Sequence, residues 1–438
     1  MAIEKLFGQS IFWRSIYFAT AFITNILLSR YLQAALSGSV LYLASIFSFI
    51  SLLLGLSLDS GFTFFASRKL AAYNQLVSFA VVWIALITLS GIITSCFFLS
   101  YFLKGSPVSL NGYQLYGYFY IAGLMFTSFL SALFYSRSNF WLPNLIFSVV
   151  NIFVIIAIPL LGHYYPQNST LIIDVYFYST FLQGILLVPA FVIFNKKENS
   201  NSYFPSAGNI KQLIRFSVMA LGANIIFFLI NRVDFFFVEK YCTANQLGNY
   251  IMVSRLGQML LFFPQVLASV IFPQAAGNTN MATIAESTLI TGRLLSRIYL
   301  LMFIVLLLAG KWLFPFMFGP TFTSMYILML IFLPGFFALS NLAVISAFLL
   351  GNGHLKINIT GTLLALIIVV GGDMLVVERF GVFAAAAVST LAYTCNFIYS
   401  VVRFNRKYNI AFIDLFKWQK KDLQWVKQIV KKPVQVLK

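Results

Sequence analysis

The chain has 438 residues, of which 60% are hydrophobic and only 9% charged; soluble domains carry roughly 25% charged residues. That composition excludes a soluble globular protein. The net charge of +18 would point to nucleic acid in a soluble chain, but in a membrane protein an excess of Lys and Arg marks cytoplasmic loops, so no nucleic-acid partner is expected.

Near-uncharged stretches of the ~20 residues needed to cross a bilayer recur from end to end. They predict twelve transmembrane helices, near 11–29, 39–58, 78–100, 113–135, 143–163, 173–194, 213–238, 247–272, 296–316, 324–350, 357–377 and 382–402. The first is a membrane helix and not a signal peptide, because its apolar run is too long and continues into "LLSRYL" without a small-residue cleavage site. The polar, basic segment 195–212 separates six spans from six. The expected organisation is a lobe over 1–194, a cytoplasmic linker over 195–212, a second lobe over 213–402 and a tail over 403–438.

With the N-terminus inside, Lys5, Arg68, Lys69, Arg137, Lys196, Lys197, Lys211, Arg215, Arg293, Arg297, Lys356 and the basic tail are cytoplasmic. Only Arg30, Lys104, Lys240, Lys311 and Arg379 fall outside, so both termini are expected in the cytoplasm. Laying Arg30-Tyr31 on Lys240-Tyr241 also lays Gly38 on Gly248, a faint repeat whose identity is low. Internal repeats recur in transporters, with the substrate site between them. In the tail, Phe412, Phe416, Leu423, Val426 and Val430 recur at helical spacing opposite Lys417, Lys420, Lys421 and Lys427. That pattern suits an interfacial helix on anionic lipid.

A charge at the centre of a bilayer costs at least ~2.5–3.5 kcal/mol on insertion scales, so such residues face a polar interior. On a helix, residues seven or eleven apart share a face. Span 7 therefore lines up Asn224 and Asn231, with Arg232 and Asp234 flanking them. Span 8 aligns Arg255, Gln258 and Gln265. Span 1 aligns Arg14 with Asn25, and span 2 aligns Ser45, Ser48, Gly55 and Asp59. Polar faces thus concentrate on spans 1, 2, 7 and 8, the first two of each lobe, and the other spans look featureless by comparison. Together these faces predict a water-filled cleft. Arg14, Asn25, Asn224, Asn231, Arg232, Arg255 and Gln258 are the candidate substrate contacts, and Asp59 and Asp234 are candidates for ion coupling or gating. An Asp234–Arg255 ion pair is the competing structural role for those two residues. Asp174 and Asp373 lie near outer span ends, where solvation is expected.

Cys96, Cys242 and Cys395 lie far apart without metal-ligand spacing, and His163 and His354 stand alone at span ends. No nucleophile–base pair stands out, so neither an enzyme, a metal site nor a cofactor is expected.

The stretches "RYLQAALSGSVLYLASIFSFISLLLGLSLDSGFTFFASRK" and "INRVDFFFVEKYCTANQLGNYIMVSRLGQMLLFFPQVLASVIFPQAA" resemble the polysaccharide flippases of the multidrug/oligosaccharidyl-lipid/polysaccharide exporter superfamily. The proline-broken "FFPQVLASVIFPQ" is the most suggestive element, and the resemblance spans nearly the whole chain. It implies an all-α integral membrane fold of two six-helix lobes around a central cleft. It also implies translocation of a polyprenyl-diphosphate-linked oligosaccharide across the bacterial inner membrane by alternating access. Twelve spans fit the O-antigen or capsule type better than the fourteen-span lipid II type, with polysaccharide polymerase machinery as a candidate partner. The alternatives are a small-molecule exporter of the same superfamily and a membrane-embedded polymerase or acyltransferase. Three arginines against two acids weigh against a cationic cargo on Coulomb grounds. Short outer loops and the absence of an intramembrane histidine weigh against the enzymes.

Overall fold

The computed structural model describes residues 3–102, 112–194, 204–276 and 281–408. The linker residues 195–203, the tail beyond 408 with its amphipathic pattern, and the side chain of Cys96 lie outside the described residues. The described chain is helical throughout: α1 (Ile3–Gly55), α2 (Leu58–Ser67), α3 (Tyr73–Phe102), α4 (Tyr113–Ser136), α5 (Trp141–Tyr164), α6 (Ser169–Phe194), α7 (Ala207–Tyr241), α8 (Ala244–Leu260), α9 (Phe262–Ala276), α10 (Met281–Phe318), α11 (Met325–Gly351) and α12 (Leu355–Tyr408).

Among the described residues, nine helices are long and apolar enough to cross a membrane. Two of them are double. α1 breaks at Gln33 (φ 59°, ψ 176°) and α12 at Gly381 (φ 68°, ψ −154°). With α3 added, the segments of membrane length are the twelve expected from the sequence. The Gly381 conformation lies in a region essentially reserved for glycine, which is why the chain can turn there between spans 11 and 12. Span 8 is the pair α8–α9, interrupted at Leu261 ahead of Pro264. Its start is set locally: in "TANQ" the Thr243 hydroxyl accepts from the Gln246 amide at 3.3 Å, and the Gln246 side chain returns the bond to the Thr243 backbone at 3.0 Å. Such a capping box satisfies donors that a helix start otherwise leaves open.

The chain divides into two compact units, Met1–Phe228 and Leu229–Lys438. In the first, α4 is central and packs on α1, α2, α3 and α6. The core there is aromatic, with Phe62 and Phe129 edge to face at 5.3 Å. In the second, α11 is central and packs on α8, α9, α10 and α12, with Phe348 and Phe404 edge to face at 5.3 Å. Apolar side chains such as Ile193 (74% exposed), Phe316 (75%) and Leu375 (75%) point outward, as they must where the surroundings are lipid tails.

Small residues let membrane helices approach closely. A Cβ placed on Gly123 of α4 would meet the Thr180 and Phe181 backbone of α6 at 2.6 Å, and backbone cannot swing aside. Gly123→Ala is therefore expected to cost about 1–3 kcal/mol by overpacking, read as a lower unfolding midpoint in detergent; an unchanged midpoint refutes it. The positive-inside pattern gives a second expected outcome. A reporter fused after Lys240 should signal from outside the membrane and one after Lys356 from the cytoplasm, and the reverse pattern would overturn the orientation.

Candidate functional site

Spans 7 and 8 bring several of the expected residues together in the second unit. The Arg232 guanidinium on α7 donates to Gln258 Oε1 on α8 at 3.1 Å and lies 5.3 Å from the Phe235 ring centroid. A ring beneath it and a bond to an amide restrain the fork. That pre-organisation is what distinguishes Arg from Lys in phosphate recognition. Arg255, three residues before Gln258, is half-buried, and Asn231 is half-buried beside Arg232.

Asp234 is nearly inaccessible, at 1% exposure. Its Oδ1 accepts from the Phe235 backbone at 3.0 Å; its Oδ2 accepts from the Tyr250 hydroxyl at 2.6 Å and the Ser389 hydroxyl at 3.2 Å. These three donors, and not Arg255, hold the carboxylate, so the expected alternative of an Asp234–Arg255 pair is replaced by a link from α7 through α8 to α12. Tyr393 adds a bond to the Ile230 carbonyl at 3.3 Å. Asp373 belongs to the same neighbourhood, within electrostatic reach of Asp234, Tyr250 and Tyr393. It was expected to be solvated, yet it is fully buried and neither carboxylate oxygen has a donor. A buried carboxylate without donors carries a desolvation penalty of several kcal/mol, and binding a proton or a monovalent cation relieves it.

The remaining expected residues belong to the first unit and do not form one cluster. Asn224 donates to the Ser57 hydroxyl at 3.0 Å, tying α7 to the break between α1 and α2. Asp59 sits in the first turn of α2. Asn25 donates to the carbonyl of Ala21, one turn earlier, at 2.8 Å. Arg14 stacks over Tyr135 and Phe140, at 5.2 and 5.7 Å, near the end of α4. Asp174 accepts from the Tyr116 hydroxyl at 2.6 Å, a structural role.

Spans 5 and 6 are not featureless. Asn151 donates to the Thr20 hydroxyl at 3.2 Å and accepts from Gln183 at 3.0 Å, a polar chain through α1, α5 and α6. A lone Asn or Gln in an apolar run was its only trace in the sequence. Cys242 and Cys395 are free, and burial pushes the Cys242 thiol up, away from the low pKa of a reactive thiolate. Among the described residues, no group of three His, Cys, Asp or Glu is placed to hold a metal ion.

This is a polytopic helical membrane protein with charged and amide side chains set among its apolar spans. Its fold is shared with solved transporters of the MOP superfamily. It is similar to a lipid II flippase MurJ in an inward closed conformation (TM-score 0.75, 15% identity, 97% of this chain and 92% of the other). It is also similar to a multidrug resistance MATE family transporter facing inward (TM-score 0.66, 14% identity, 93% and 95%). A MOP superfamily transporter from Pyrococcus furiosus, described as having a binding pocket of reversed polarity, matches with a TM-score of 0.60 at 13% identity over 93% and 95%. No curated protein matches the chain. The model of a family described as polysaccharide biosynthesis protein matches residues 9–277, and the chain belongs to that family.

Proposed function

We propose that this protein translocates a polyprenyl-diphosphate-linked oligosaccharide across the bacterial inner membrane by alternating access, for surface polysaccharide of the O-antigen or capsule kind. The observation that carries the reading is the Arg232–Gln258 pair, in a chain of the polysaccharide biosynthesis family. A planar, permanently charged fork suits a diphosphate, and neighbouring Asn and Gln suit sugar hydroxyls. Asp234 and Asp373 are the proposed coupling site, taking up and releasing a proton or a monovalent cation as the protein cycles. The basic tail is proposed to rest on anionic lipid, and a polysaccharide polymerase is the proposed downstream partner. The test is reconstitution: purified protein in sealed vesicles, with a fluorescent polyprenyl-diphosphate saccharide on one leaflet. Transfer to the other leaflet is the expected result. Transfer no faster than in protein-free vesicles would overturn the proposal.

A further inference from the structure

The first unit contains a cavity of about 420 Å³, walled by α1, α2, α4, α5 and α6, inside the range of roughly 300–1,000 Å³ usual for small-molecule sites. None of the residues proposed above to hold the diphosphate lines it. Its wall includes Gly55 and Ser57, at the break between α1 and α2, where Leu56 and Ser57 have φ of 48° and 52°. Non-helical backbone at membrane depth is tolerated where it is buried in protein or lines a cavity. Here Trp83 takes up the Leu54 carbonyl at 3.1 Å.

The wall is rich in hydroxyls and carries one charged side chain, Asp59. A hydroxyl has one hydrogen and two lone pairs. Ser48, Thr127, Ser128 and Ser131 line the cavity, and each spends its hydrogen on a carbonyl of its own helix, at 2.7, 3.0, 3.3 and 3.2 Å. The Gln183 amide donates away, to Asn151. What these four hydroxyls leave for a ligand is acceptor capacity, and the carboxylate of Asp59 adds more; Tyr17, Ser51, Ser57, Tyr120 and Thr180 bring further hydroxyls to the wall. Among the described residues, no Lys or Arg lines the cavity.

We propose that this cavity is a saccharide subsite for a donor-rich sugar residue, best an amino sugar in its ammonium form, with Asp59 as the principal acceptor, and that it rejects anionic sugars. The inference rests on the flippase reading only for the source of the sugar. It separates the two ends of the cargo by chemistry: the guanidinium of Arg232 suits phosphate, and a hydroxyl-rich cavity whose one charge is a carboxylate repels phosphate and suits hydroxyl and ammonium groups.

Saturation-transfer NMR on the purified full-length protein tests it, with glucosamine, glucose, glucuronate and ethanolamine as probes. Glucosamine should give the strongest transfer, glucose a weaker one and glucuronate none. Asp59→Asn should weaken glucosamine by about tenfold, the scale separating a charge-assisted from a neutral hydrogen bond, and leave glucose nearly unchanged. Ser51→Leu, which fills the cavity and leaves Asp59 in place, should remove both sugar signals. Equal transfer to glucuronate and glucosamine, no sugar signal at all, or signals indifferent to both variants would overturn the subsite. So would full displacement of glucosamine by ethanolamine, which would make it a site for cations and not for sugars. Vesicle transfer of the lipid-linked saccharide is scored separately. Sugar binding without transfer overturns the flippase reading alone, and transfer without sugar binding overturns the subsite alone.

Discussion

Arg232→Ala is expected to abolish surface polysaccharide while leaving the protein at normal levels in the membrane. When Arg232 is removed, Asp234 keeps its three donors from Phe235, Tyr250 and Ser389, and Gln258 loses only a bond between its amide oxygen and the guanidinium. Hydrogen bonds to charged groups contribute about 1.5–3 kcal/mol, which is roughly 10- to 150-fold in substrate affinity. Arg255→Ala should act in the same direction. Arg232→Lys should restore only part of the export, because an ammonium keeps the charge and loses the planar fork. Exchanging Asp234 and Arg255 should rescue nothing, since Asp234 is held by Tyr250 and Ser389. Surface polysaccharide measured against membrane protein level separates these outcomes. Full export by both alanine variants would leave the arginines with no part in carrying substrate.

The two buried acids should answer differently to the same isosteric change. In Asp234→Asn one oxygen becomes an NH₂ group, yet the site presents three donors, from Phe235, Tyr250 and Ser389. With the amide carbonyl kept toward Phe235, the NH₂ group faces the Tyr250 and Ser389 hydroxyls, which must turn to accept and so lose the acceptor that took their hydrogens; a loss of about 1–3 kcal/mol is expected, read as a lower unfolding midpoint. Asp373 has no donors to lose. Asp373→Asn should therefore keep the midpoint at or above that of the parent protein, and should make vesicle transfer insensitive to an imposed proton or monovalent-cation gradient. Gradient-dependent transfer by Asp373→Asn at the parent rate would remove Asp373 from the coupling site.

Length and hydropathy made the membrane class and the twelve spans legible, because the cost of exposing polar backbone to hydrocarbon forces every crossing segment to be a long apolar helix. The start of α8 is also set locally, by a capping box between residues three apart. Helical periodicity put Arg232 and Gln258 on adjacent spans among apolar neighbours, and the structure joins them at 3.1 Å. These features depend on local sequence, or on the bilayer acting on each segment alone.

Tertiary structure decided the rest, and the reason is the same in each case. Asp373 lies six residues from Arg379 at a span end, so its hydropathy context suggested water; its burial follows from how α12 folds back at Gly381 and packs on α11. Tyr250 and Ser389 are separated from Asp234 by 16 and 155 residues, and no pattern within one helix records that they converge. The polar chain of Asn151 and Gln183, and the hydroxyl-rich cavity around Asp59, arise where several helices meet. The sequence by itself determined which segments enter the membrane and which side chains must find polar company there. Only packing decided which partners they found, because hydrogen bonds between spans depend on the rotation and depth of each helix, and those are set by contacts such as Gly123 against the Thr180 backbone and not by any single span.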